Sequence, residues 1–327
     1  MVKSGMPYHA LDHTIVGAKR LGDVVSYAEW SAEKMMAEYA IGATLTAVFH
    51  PVGFSRFLIQ LGHEPLHPEP GRSFVGFGKE NTYYPNILRY MSHIKKKEGF
   101  VGLYRGLVPR ILGGFVGNFT TTATNNYLKG LGANTEDTAA GHNADELVGW
   151  LKTFFVQTSK ETLGRCAGII VSQPFHVVML RCQAQFIGGE TSYNSLWSSL
   201  VEIYNNDGIL GFFGGLIPRL VGEIITIFLT NFFANMINKH FLEDKEMRTY
   251  TSSACGLVIG TFTYRFSLVG NLMAINNSGL VAAKYPYMLA YSNWYECWGH
   301  LSKERQLGRG SRLFNRIVTA RRYVQLD

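Results

Sequence analysis

The run GLIPRLVGEIITIFLTNFFANMI, Gly215 to Ile237, is apolar enough to enter a bilayer except that Glu223 sits near its head. A charge at the centre of hydrocarbon costs about 2.5 to 3.5 kcal/mol on insertion scales, so this carboxylate must face protein or water. Other ionisable or polar groups punctuate apolar stretches in the same way: Arg56, Glu161, Arg165, His176, Arg181, Tyr264 and Arg265, with amides at Asn118, Asn125 and Asn126. The chemistry open to such a set is non-covalent. It can line a polar groove inside a membrane and shelter polar cargo there, because ionisable groups within a span are functional hypotheses by default. Each has a second reading. Arg56 and Arg181 can snorkel to headgroups, Glu161 can sit at a helix start favoured by the dipole, and His176 can be a satisfied core histidine. Arg110 and Arg219 read as structural anchors of their helices at the interface.

Covalent chemistry finds no support. No G-x-x-x-x-G-K-[ST], H-E-x-x-H or G-x-S-x-G occurs, which removes the common phosphate, zinc and serine-hydrolase signatures. Cys166, Cys182, Cys255 and Cys297 lie far apart without metal-ligand spacing, and read as small buried hydrophobes. No metal, cofactor or enzymatic activity is expected. The net charge of +7 permits an anionic partner, but the cations are not interleaved with aromatics on one polar face, which argues against nucleic acid. Mean hydropathy of +0.02 sits between soluble and membrane classes. Residues 1–35 mix acids with bases and hold no apolar core, so they read as an N-terminal extension without a signal peptide.

An internal repeat supplies the elements that position these groups. EGFVGLYRGLVPRILGG from Glu98 aligns with DGILGFFGGLIPRLVGE from Asp207 at an offset of 109 residues. The offset superposes Glu98 on Asp207, Gly106 on Gly215, and Pro109-Arg110 on Pro218-Arg219. Upstream of each lies an apolar segment broken by proline, at Pro51 and Pro174. Each unit thus reads as a proline-bent apolar helix, a short amphipathic surface helix (within NILRYMSHIKKKEG and YNSLWSSLVEIYNNDG), an acid-Gly turn, and a second apolar helix opening with Pro-Arg. KGLGANTEDTAAGHNADE reads as a connection between repeats.

This layout resembles the mitochondrial carrier family over roughly residues 36 to 316. The [DE]-G-x-x-x-x-[YF]-[RK]-G half of the family pattern is kept in EGFVGLYRG. The P-x-[DE]-x-x-[KR] half is degraded: Gly53, His176 and Ser267 stand at the acidic positions, and Arg56, Met179 and Gly270 at the basic ones. In solute carriers of this family those charges close a gate by ion pairing, and here that ring cannot form. The third repeat, ERQLGRGSRLFNR, keeps Leu307, Gly308 and Arg316 but has Asn315 for proline. The 11 residues after it cannot cross about 30 Å of hydrocarbon at about 1.5 Å per residue.

The fold expected is therefore an all-α membrane protein, a carrier-like bundle of tandem repeats with five rather than six transmembrane helices. Its parts are repeat 1 over 36–129, a connecting loop over 130–150, repeat 2 over 151–239 and a truncated repeat 3 over 245–327. A bundle lacking its sixth helix should open sideways between the first and fifth, presenting a polar groove to lipid. The truncated repeat and the NLMAINNSGL stretch resemble the mitochondrial carrier homolog subgroup. That resemblance implies a multi-pass protein of the outer mitochondrial membrane, an insertase for tail-anchored and other α-helical membrane proteins. It further implies binding of a truncated pro-apoptotic BH3 protein, and the groove would also suit lipid scrambling. The alternative is a divergent mitochondrial solute carrier.

Overall fold

A computed structural model describes residues 36–71, 81–136, 146–241, 245–314 and 316–318. The expected N-terminal extension, the centre of the expected connecting loop and residues 319–327 lie outside the described residues. The chain divides into two compact units, Met1–Val48 and Phe49–Asp327. In the first, residues 36–48 are helical and begin α1, which continues to residue 61.

In the second unit, α1 runs through Pro51 and buries Phe54, Phe57, Leu58, Ile59 and Leu61. α2 spans Ile87–Gly102 and is capped by Asn86, whose side chain accepts from the Arg89 N–H. Its helical path breaks at Gly99, where φ is 77°. α3 spans Leu107–Glu136, α4 Glu146–Gly188, α5 Leu196–Asp207, α6 Leu216–Phe241, α7 Lys245–Ile275 and α8 Trp294–Lys303. α5 opens with a capping box in which the Ser195 and Ser198 side chains satisfy each other's backbone N–H groups. The stretch 130–150 is less of a loop than its composition suggests, because α3 runs on to Glu136 and α4 begins at Glu146.

The repeat shows itself in backbone geometry. Gly106 and Gly215 both adopt positive φ, 79° and 71°. Each lets the chain entering the following helix press against the next proline-type helix. A Cβ on Gly106 would meet the Met179 carbonyl, and one on Gly215 would collide with the Gly270 carbonyl. Met179 and Gly270 stand where the family pattern has its bases, so these positions serve close backbone approach. Small residues likewise seat α3 on α4, with Gly117 against Ser172 and Gly168 against Thr121. Hydroxyls in these helices are mostly satisfied internally: Thr120, Thr121, Thr162, Thr226 and Thr263 bond carbonyls four residues back.

The buried core gathers where α1, α4 and α7 end and the surface helices pack. It includes Leu58, Tyr90, Ile94, Leu180, Phe186, Ile203 and Leu272. Elsewhere the long helices expose apolar faces, such as Val108, Leu112, Phe115 and Phe119 at helical spacing on α3. Such continuous exposure belongs in lipid. By length and composition three segments can cross a membrane, Gly149–Gly188, Ile209–Lys239 and Met247–Ile275. The helices α1 and α3 have the length, but amides and hydroxyls lower their hydropathy.

Two features depart from an all-α bundle with one side open. A small antiparallel sheet pairs Glu69–Gly71 (β1) with Asn81–Tyr84 (β2) and Arg316–Ile317 (β3). Among the described residues α8 is the last helix, and residues 304–314 form turns. Those turns bridge α1 and α7 near Arg56 and Tyr264, so at this level the expected gap is covered.

Candidate intramembrane groove

Two polar assemblies lie within the long helices. The first is a ladder between α4 and α6. At its centre Arg165 donates to Glu223 from Nη2 at 2.9 Å and from Nε at 3.0 Å. Two turns along α6, Asn231 donates to Glu161 Oε2 at 2.8 Å and lies 3.4 Å from Thr158 Oγ1. In the other direction Arg219 donates to Gln173 Oε1 at 2.7 Å, and Gln173 caps the Gly214 carbonyl at 2.8 Å. From Thr158 to Gln173 the ladder covers about 22 Å of helix at about 1.5 Å per residue.

Its exposure is graded. Gln173 is buried, whereas the Arg165 and Glu223 side chains are 46% and 27% accessible and Glu161 is exposed. A carboxylate already paired and still reachable can exchange partners; a sealed pair only holds helices together. α4 and α6 therefore present an accessible strip of fixed charge that ends on a closed rung.

The second assembly forms a floor tying the three proline-type helix positions together. His176 Nε2 on α4 donates to Asn271 Oδ1 on α7 at 3.3 Å. Asn271 donates to Gln60 Oε1 on α1 at 2.9 Å, and Gln60 donates to the Tyr264 hydroxyl at 2.8 Å. Tyr264 in turn donates to the Arg309 carbonyl at 2.6 Å. Arg56 donates from Nε to the Gly310 carbonyl at 3.0 Å, its guanidinium 4.7 Å from the Tyr264 ring centroid. Apart from Arg56, this floor is built from neutral hydrogen bonds.

The residues anticipated from sequence thus fall into separate places. Glu223 and Arg165 come together with Glu161 nearby in the ladder, and Arg56, Tyr264 and His176 join the floor. No bond links Arg56 to Glu223 among the described residues. Arg181 belongs to neither assembly, contrary to its expected groove position. It is buried, paired at 2.5 Å with Asp207 at the end of α5, and bonded to the Ala274 carbonyl and the Tyr193 hydroxyl. The cause is chain geometry: α5 folds back along α4 and delivers an acid to an arginine otherwise held by neutral groups. Arg265 and Asn118 occupy exposed helix faces outside both assemblies.

The repeat-motif residues are structural in detail. Glu98 pairs with Arg105 at 2.9 Å, and the Arg110 guanidinium lies over Gly53, where a Cβ would strike it. Pro109 and Pro218 stand in the first turns of α3 and α6, and Pro51 and Pro174 lie within α1 and α4. Sequence reading missed Gln60, Asn231, Gln173 and Asn271. Their signal was present as amides inside apolar runs, with Gln60 one turn beyond Arg56.

A family model described as mitochondrial carrier protein matches residues 29–135 and 158–245. Mitochondrial carrier homolog 2 of Bos taurus is 37% identical over 287 residues, covering 86% of this chain and 94% of the relative. Mitochondrial carrier homolog 1 of Mus musculus is 34% identical over 303 residues, covering 86% and 76%. ADP/ATP translocase 4 of Bos taurus is more distant, 26% identical over 192 residues, 59% of this chain and 51% of that one.

Proposed function

The chain belongs to the mitochondrial carrier family, in its carrier-homolog subgroup, and from that premise we propose that it inserts tail-anchored and other α-helical proteins into the outer mitochondrial membrane. The observation that carries this reading is the half-exposed Arg165–Glu223 pair within a polar ladder along two spanning helices. A client helix enters lipid readily, but the short polar tail beyond it does not, because each unpaired polar group costs several kcal/mol in hydrocarbon. Along α4 and α6 the tail exchanges water for Arg165, Glu223, Glu161 and Asn231 in turn, while the apolar helix slides into lipid. No bond is made or broken covalently. Lipid headgroups can follow the same strip, which makes scrambling a by-product of the same surface. A truncated pro-apoptotic BH3 protein is included among the partners on family resemblance alone.

The competing reading is a divergent solute carrier. Purified protein in liposomes distinguishes the two. Stimulated insertion of a tail-anchored substrate without saturable solute uptake supports the insertase. Saturable uptake with no gain in insertion overturns it.

A further inference from the structure

The floor holds an occupant. Residues 306–311 cross from α8 to the β3 side, and their backbone carbonyls take the donors that α1 and α7 direct at this level: Gly310 from Arg56, Arg309 from Tyr264. Gly310 has φ of 76° and is buried, and a Cβ there would meet Gln60 Cγ at 2.8 Å, the Tyr264 hydroxyl at 2.9 Å and the Arg56 carbonyl at 3.3 Å. The crossing segment has separate moorings at each end. Before it, Cys297 and Leu301 of α8 are fully buried. After it, the Ile87 N–H bonds the Leu313 carbonyl at 3.2 Å and Arg316 pairs with Glu64 at 2.6 Å. Leu307 also packs against the core, so the part that can lift while both ends stay fixed is the turn at residues 308–311.

We propose that residues 306–311 are a built-in pseudo-client, and that Arg56 and Tyr264, the latter braced by Gln60, form a binding site for the carbonyls of a turned polar segment of a client, which competes with this strap. The contacts define the ligand class. A guanidinium and a phenol 2.6 to 3.0 Å from successive main-chain carbonyls read backbone, not sequence, as a site serving many tails must. The strap keeps these donors satisfied and the side passage closed until a client segment replaces it. This inference rests on the insertase reading.

The test uses the full-length protein in liposomes with a tail-anchored substrate. In Gln60→Cys/Gly310→Cys, a disulfide verified by peptide mapping pins the strap, and reduction leaves it displaced by the new side chain. Insertion should be severalfold lower in the oxidised than in the reduced form, a comparison within one variant that cancels the loss of Gln60. Gly310→Ala, which needs no redox step, should raise insertion by about fivefold or more, the population shift that about 1 kcal/mol produces. Wild-type stimulation with no redox difference in the first variant, or with no gain in Gly310→Ala, would overturn the pseudo-client while leaving the insertase intact. Absence of wild-type stimulation would refute the insertase itself. Amide exchange at 306–311 then decides for the strap: acceleration on adding a synthetic transmembrane peptide with a polar tail supports it, and unchanged protection overturns it.

Discussion

Reversing the charge at Glu223 isolates the ladder from everything else in the molecule. Glu223→Arg sets a second guanidinium against Arg165, which now lies 2.9 Å from the carboxylate. Fully exposed pairs contribute at most about 1 kcal/mol, and breaking a buried pair costs about 3 to 5. With 46% and 27% exposure this pair falls between, near 2 kcal/mol, or about thirtyfold in rate if the strip acts on the rate-limiting passage of the tail. Insertion of a tail-anchored substrate into liposomes is the assay, with circular dichroism confirming that the helices persist. The swap Glu223→Arg/Arg165→Glu restores a pair of opposite polarity and should regain most of the loss. A Glu223→Arg protein that stays helical and inserts within about twofold of wild type, well under the difference of about 2 kcal/mol, would refute the reasoning.

Four further outcomes follow from the same geometry. Cysteines placed at Glu223 and Asn231 should react with aqueous thiol reagents, whereas those at the exposed apolar positions Ile217 and Phe233 should react only with membrane-permeant ones; uniform labelling would remove the wet strip. Gly215→Ala should unfold the α6–α7 junction, costing well over about 3 kcal/mol in thermal melts, because its Cβ strikes the Gly270 carbonyl, whereas Gly99→Ala, with open space at φ 77° and ψ −175°, should cost about 1 to 3. Arg181→Met should lose about 3 to 5 kcal/mol by stranding Asp207, with the Arg181→Met/Asp207→Leu double variant recovering much of it. Stability should also bend with pH at the end of α1. There burial of His63, helped by Lys97 and His93, lowers its pKa from 6.5 to about 4, so folding favours the neutral ring and stability is lost as pH falls from about 6.5 towards 4. Burial raises Glu64 from 4.5 to about 7 against the pull of Arg316, its Oε2 lacking a hydrogen bond. Folding therefore favours the protonated acid, and stability declines as pH rises from about 4.5 to 7, by at most about 3 kcal/mol. Detergent-phase melts should show Glu64→Gln flattening the upper limb and His63→Asn the lower.

The repeat was legible because it is written in residue types that obey backbone rules. Proline and glycine at a fixed offset announce a bent helix, a left-handed turn and a new helix start, and Gly106 and Gly215 do adopt positive φ. Glu223 stood out because a carboxylate in an apolar run has few tolerable environments. Arg181 shows where that logic stops. An arginine in an apolar helix looks the same whether it faces a groove or meets an acid delivered by another element, and only the return of α5 puts Asp207 beside it. The short sheet was invisible for another reason, since strands of two to four residues are too short to display alternation. The strap was hidden most completely. Its role is carried by carbonyl oxygens, which every residue has.

The floor also bears on the choice between the insertase reading and solute exchange. A gate of ion pairs can open because each charge, once released, is taken up by water or substrate. Here the corresponding positions hold Gly53, His176 and Ser267, and closure is left to amides, a phenol and a histidine bonded in series from α4 through α7 to α1. Each neutral bond contributes only about 0.5 to 1.5 kcal/mol net, so the floor could part. The Arg56 and Tyr264 donors, however, bond a backbone segment moored at α8 and at Arg316. Opening at this level therefore requires lifting a segment tethered at both ends, which a polar peptide can replace carbonyl for carbonyl and a small solute cannot. That asymmetry favours cargo that enters and leaves from the side, partly in lipid throughout, over a solute that must pass from one face to the other.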